Sequence, residues 1–197
     1  MEIGHGPRTV PAVALTFHGS GDPDLARALL DIVRQADARI TVLVVGTWLM
    51  AQPTMADAIL GAGHELGNHT LHHLPMKTLP AAKAATEIAG CQAVLRKVTG
   101  SGQRWFRASG TQHTTPVIRA AAGRAGYAAC LSYDVDGLDW QDPPAATVVS
   151  AVLDNVRPGS IVSLHLGHRV TLTALPAILT GLRKQSLQPV SCSQLLV

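Results

Sequence analysis

The sequence predicts an α/β fold on a parallel sheet, open or closed into a barrel, and three features carry that expectation. Short apolar, β-branched runs alternate with helical segments along the whole chain, and strand–helix alternation calls for parallel pairing. The 197 residues are 47% hydrophobic and 15% charged, a balance that suits strands covered on both faces. No repeat, low-complexity linker or change of composition divides the chain, so residues 1–197 read as one domain.

Strands are expected near residues 12–17, 40–45, 65–68, 105–107, 127–133, 160–165 and 188–190. Helices are expected near 23–36, 54–62, 80–98, 116–123, 145–156 and 172–184. Asp22-Pro23 and Thr115-Pro116 each place a capping side chain before a proline suited to the first helical position. Gly100, Gly126 and Gly159 mark exits and turns.

Composition narrows the function. The net charge of +3 is mild and no lysine/arginine run occurs, which argues against nucleic acid as a partner. No apolar run approaches the roughly 20 residues that span a bilayer. The start, MEIGHGPRTVPAV, lacks the basic, apolar layout of a secretory signal. The expected compartment is therefore the cytoplasm, or the cell envelope or exterior if a leader has been removed. Cys91, Cys130 and Cys192 are odd in number and far apart, so they read as buried small hydrophobes. The sequence is silent on oligomeric state.

In parallel α/β folds, functional residues gather where strands end. Of the nine histidines, seven (His18, His69, His72, His73, His113, His165 and His168) fall at or just after an expected strand end. That placement predicts a histidine-rich site at one mouth, with Phe17, His69, Arg107, Asp134 and His165 near the same end. The densest signal is GHELGNHTLHH, residues 63–73. His69 and His73 are four apart, so one helical turn puts both rings on one side. Two imidazoles on one face make half of a divalent metal site, zinc most naturally. His72 is the lower-ranked alternative partner, at three-residue spacing.

GHELGNHTLHH resembles the second motif of the polysaccharide deacetylases, carbohydrate esterase family 4. LTFHGSGD, from Leu15, falls where that family has its first motif, usually Thr-Phe-Asp-Asp-Gly. Residues 105–110, WFRASG, stand at its Arg-x-Pro-Tyr. Residues 133–140, YDVDGLDW, are similar to the fourth motif and residues 159–165, GSIVSLH, to the fifth, while Pro189 onward resembles the closing segment. The resemblance implies a distorted (β/α) barrel with about seven parallel strands. It also implies hydrolysis of an N- or O-acetyl group on a carbohydrate or a related small substrate. His69 and His73 become metal ligands, His165 the general acid, Asp139 its orienting carboxylate and Trp140 a wall of the acetyl pocket. Gly110 and Ser109 stand where the family holds the oxyanion and substrate. The implied cofactor is one divalent ion, zinc first.

The first motif departs from the pattern, because the family's carboxylate base and carboxylate ligand are here His18 and Gly19. Three readings of His18 stay open: a third metal ligand, ranked first; a base; or a turn residue. Asp22 is an N-cap, or a carboxylate that swings into the vacated ligand position and gives Arg107 a partner. His113 and His168 are expected on the rim, Asp134 or Asp136 as a loop-orienting acid, and Trp48 in packing. With seven Phe, Trp and Tyr residues, flat faces for glycan stacking are few, which favours a short acetylated substrate. The alternative function is a catalytically silent barrel that binds an acetylated sugar or wall fragment.

Overall fold

The computed structural model describes residues 1–196. Nine strands among them form one parallel sheet: β1 (Glu2–Ile3), β2 (Ala12–Gly19), β3 (Thr41–Val44), β4 (Glu65–Asn68), β5 (Trp105–Phe106), β6 (Cys130–Leu131), β7 (Val135–Asp136), β8 (Ile161–His165) and β9 (Gln188–Val190). Their order is β1-β6-β5-β4-β3-β2-β8-β7, with β9 pairing the lower part of β2. This is the expected distorted barrel, with two short strands beyond the anticipated number. Eight α-helices accompany it: α1 (Pro23–Gln35), α2 (Gly46–Ala51), α3 (Thr54–Gly61), α4 (Ala81–Thr99), α5 (Pro116–Arg124), α6 (Ala145–Leu153), α7 (Arg169–Lys184) and α8 (Cys192–Leu195).

The period-2 pleat of β2 divides the core. Val13, Leu15 and Phe17 turn outward and pack under the helices with Leu29, Val42, Leu164 and Ile178. Ala12 and Ala14 turn inward and meet Leu43, Trp105, Leu131 and Ile161. The same inward column continues as Thr16 and His18, so the interior changes from apolar to polar on rising toward the mouth. Because the sheet is parallel, strand C-termini share that end: His18 is level with Leu43 and His165, and Asn68 with Phe106.

The capping signals act as read. Asp22 accepts from Asp24 N at 2.8 Å ahead of Pro23, and Thr115 caps Pro116–Arg124 by accepting from Ile118 N. Cys91, Cys130 and Cys192 are buried and free. The strand expected at 127–133 shrinks to Cys130–Leu131 for a physical reason. Tyr127 turns into a cluster with Phe106, and Asp134 N transfers to Ile161 O, which starts β7 beside β8. That transfer corrects one placement: Asp134 sits at the N-terminal end of β8, away from the mouth. There it accepts from Arg8 (2.7 Å), Ile161 N (2.8 Å) and Ser160 Oγ (3.0 Å). Among the described residues no helix is long and apolar enough to cross a membrane.

Candidate active site

A cavity of roughly 440 Å³ opens at the strand C-termini, walled by His18, His73, Gly110, Tyr133, Trp140 and His165 among others. Its size is in the range of small-molecule sites. Trp140 is about half exposed at its edge.

His165, the last residue of β8, is the best-fixed group. Its Nδ1 lies 2.8 Å from Asp139 Oδ1, and its backbone N donates to Asp139 Oδ2 at 2.7 Å. Thr171, in the first turn of α7, also donates to Asp139 Oδ2. Asp139 is fully buried, and its three donors offset the cost of desolvating a carboxylate. The expected pairing of Asp139 with His165 is therefore present in the geometry.

His69 ends the β4 exit with Nδ1 3.1 Å from the Arg107 carbonyl, so Nδ1 carries the proton and Nε2 keeps a lone pair. That Nε2 is buried without a hydrogen-bond partner. The His73 ring follows at 4.9 Å between centroids, on the rim. His72 turns away instead, its Nδ1 2.9 Å from Glu87 Oε1 on α4.

His18 stacks on His69 at 4.1 Å with ring planes only 14° apart. An imidazole binds a metal in its own plane, and two nearly parallel stacked planes do not meet within the site. His18 and His69 therefore do not converge on one ion in this arrangement. Its two nitrogens are also engaged. Arg107, a donor only, points Nη1 at His18 Nε2 at 3.3 Å, which leaves the proton on Nδ1, 2.8 Å from His165 Nε2. The tautomers then run in one direction: Arg107 to His18, His18 to His165, His165 to Asp139. Burial, then the neighbouring His69, His165 and Arg107, hold the His18 pKa well below the ordinary imidazole value. Burial, with His73 and Arg107, does the same at His69.

Arg107 is 1% exposed and, among the described residues, has no carboxylate within hydrogen-bonding distance. Thr16 Oγ1 (2.8 Å), Ser132 O (2.9 Å) and Leu131 O (3.3 Å) accept its protons, and the Tyr133 ring lies 5.2 Å from its guanidinium carbon. Burial pulls its pKa down to about 10.

Other expected residues fall elsewhere. Asp22 is exposed and serves as the α1 cap, outside the histidine cluster. Ser109 is buried below the mouth, bonding Leu74 O (2.6 Å) and Thr70 Oγ1 (2.9 Å). Gly110 does line the cavity, at φ +65, and a Cβ there would come within 3.1 Å of Pro75 Cα. His168 pairs with Asp142 at 2.8 Å on the rim, and His113 with Glu2 at 3.1 Å. Trp48 packs on the core while its Nε1 donates to Gly21 O. Thr171, Glu87 and Tyr133 escaped the sequence reading. The one available signal was Glu87, an acid inside the buried stripe Ala84, Ile88, Cys91 and Leu95 of α4.

For a divalent ion the residues supply a pair of donors. Among the described residues no group of three or more His, Cys, Asp or Glu is placed to hold a metal. The orphaned Nε2 of His69, with Nδ1 fixed by a carbonyl, is nevertheless the arrangement expected of a ligating histidine. Where the family pattern has a carboxylate ligand, Gly19 leaves little room. A Cβ there would stand 2.8 Å from Val44 Cγ1 and 3.0 Å from Val42 Cγ1.

A parallel barrel whose mouth joins a carboxylate-held histidine to two further histidines has the acid–base groups of a hydrolase. Comparison with known proteins gives the family. Residues 5–130 match the polysaccharide deacetylase family model. A peptidoglycan-N-acetylglucosamine deacetylase of Bacillus cereus is 32% identical over 194 residues, covering 96% of this chain and 90% of that protein. A chitooligosaccharide deacetylase of a Bradyrhizobium species is 32% identical over 158 residues, 80% of this chain and 71% of that one. Among solved structures, a mutant of a Bacillus anthracis protein, described as a CE4 family pseudoenzyme with restored enzymatic activity, superposes with a TM-score of 0.93. It is 25% identical over 100% of this chain and 71% of its own. The chain belongs to the polysaccharide deacetylase family, carbohydrate esterase family 4, a family of hydrolases.

Proposed function

We propose that this protein removes acetyl groups from an N-acetylated amino sugar of the chitooligosaccharide or peptidoglycan type, with one divalent ion, zinc first, held by His69 and His73. The observation that carries the reading is the Asp139–His165 pair, supported by Thr171 and opening on the cavity that His73 also lines, with the orphaned lone pair of His69 buried beside the His73 ring. An ion held by His69 and His73 would supply Lewis acidity for the acetyl carbonyl and would lower the pKa of water toward ~7.

The chain's own groups do the rest. Asp139 fixes the His165 tautomer and stabilises its protonated form. In the neutral arrangement, His165 Nε2 accepts from His18 Nδ1–H. Protonation of Nε2 sets two N–H groups against each other, so the contact with His18 opens and the Nε2 proton turns to the departing amine. The Gly110 N–H, on a backbone bare of a side chain, is available to the oxyanion. Trp140 and Tyr133 wall the cavity around the acetyl group.

The second reading, a barrel that binds acetylated sugar without hydrolysing it, draws on the β2 end. His18 occupies the acid's Nε2, and valine methyls crowd Gly19, where the family pattern has a ligand. One experiment separates the two. Acetate release from N-acetylglucosamine oligomers is followed before and after chelation and again after Zn²⁺ is restored. The enzyme reading expects loss and return of release; sugar binding with no release under any metal condition supports the silent one.

A further inference from the structure

The loop from His69 to His73 is held in an unusual shape. Thr70 (φ +71) and His73 (φ +58) are both left-handed without being glycine, a conformation that persists only when its surroundings impose it. Part of the restraint is local: Asn68 Oδ1 accepts from Thr70 N at 2.8 Å, and its Nδ2 is tied to Ile88 O and the Tyr127 hydroxyl. The rest comes from α4. Glu87, 0% exposed, accepts from His72 N at 2.8 Å and lies 2.9 Å from His72 Nδ1, while its own carbonyl accepts from Leu71 N at 3.0 Å. Lys83 Nζ approaches at 3.4 Å from the solvent side.

Three of the four contacts thus fall on Leu71 and His72, two of the three residues between His69 and His73. The fully buried carboxylate does not touch the cavity. We propose that Glu87 is a positioning residue: by clamping Leu71 and His72 it fixes the backbone that aims the His69 and His73 rings at one point, and it keeps the His72 ring out of the site. The metal part of this inference rests on the reading of His69 and His73 given above; the loop-holding part does not.

The test compares Glu87→Gln, which keeps volume and one acceptor oxygen, with Lys83→Ala, which leaves both His72 contacts in place. Two readouts are taken on the full chain: amide hydrogen exchange, and titration with Co²⁺ alone followed by absorbance. In Glu87→Gln, exchange at the His72 amide is expected to speed at least about tenfold, with Leu71, whose amide keeps the Glu87 main-chain carbonyl, following as the loop loosens, while Val162–Leu164 of β8 stay protected. Co²⁺ affinity is expected to fall about 10–100-fold, the usual effect of removing a group that orients ligands. Lys83→Ala should move neither. A folded Glu87→Gln protein with wild-type exchange at Leu71 and His72 overturns the proposal, as does faster exchange there with unchanged Co²⁺ affinity. If the wild-type protein takes up no Co²⁺, the metal-holding reading fails instead, and exchange at Leu71 and His72 alone decides whether Glu87 holds the loop.

Discussion

The two sides of the mouth are built on different principles. On the β4 and β8 side, the histidines are backed by buried carboxylates: Asp139 behind His165, and Glu87 behind the loop that carries His69 and His73. Each acid is fully buried and satisfied by several donors, so it anchors geometry at little net electrostatic cost. At the β2 end, among the described residues, no carboxylate hydrogen-bonds to His18 or Arg107. His18 lies between Arg107 and His165, stacked on His69 and oriented by the order of tautomers, while carbonyl and hydroxyl dipoles solvate the Arg107 charge. The anchored side carries the groups on which the proposed chemistry rests; the β2 end holds His18 and Gly19 where the resemblance expects carboxylates.

The largest expected effect breaks the anchored side. His165→Ala should lower turnover by roughly 10²–10⁴ while bound metal stays, and Asp139→Asn should act in the same direction through a misoriented ring. Steady-state kinetics with metal analysis checks both, and full activity in both mutants makes the pair structural. Next, His69→Ala should abolish metal uptake with little change in thermal stability, since a mouth residue contributes little core.

At the β2 end the effects should be smaller and different in kind. Because the His18 plane runs nearly parallel to that of His69, His18→Ala should leave metal affinity within a few-fold and alter turnover instead. Loss of metal in that mutant would show that His18 swings into coordination. Ser20→Ala should do nothing, and Asp22→Ala should cost about 0.5–2 kcal/mol as a lost cap without touching the metal. Gly19→Asp should destabilise by about 1–3 kcal/mol through overpacking against Val44 and Val42, with Val44→Ala recovering part of it in denaturant titrations.

The smallest effect lies at the far end of β4. His64 is 4% exposed with both ring nitrogens unpartnered, and burial, with Arg39 nearby, pulls its pKa down to about 4. The unfolded chain binds that proton near ~6.5, so His64 erodes stability as pH falls from about 6.5 toward 4. His64→Leu should therefore gain stability at pH 5 relative to pH 8; an equal effect at both values refutes the titration argument.

Much of this was legible in the sequence. β4 and β9 fall on the expected residues, α3 and α6 start where expected, and α1 and α5 start at their Asp-Pro and Thr-Pro signals. These elements are set by local chemistry. What escaped depends on partners far along the chain. The run 127–133 looks like one strand, yet its end leaves for β8, a neighbour that periodicity cannot name. α2 hides because it is six residues long and its apolar residues follow those of β3 with only Gly46 and Thr47 between them and Val45. At the site, the histidine types and their convergence could be read, but ring orientation could not. His72 faces Glu87, fifteen residues on, and His18 is directed by Arg107, which is 89 residues away.

Acetate release by the wild-type protein and by His165→Ala, with sugar binding measured in parallel on the same N-acetylglucosamine oligomers, tests the central claim most directly. The account predicts release by the wild-type protein, its loss by roughly 10²–10⁴ in His165→Ala, and sugar binding retained in both. Wild-type protein that binds the oligomers and releases no acetate with Zn²⁺ or Co²⁺ supplied would contradict it.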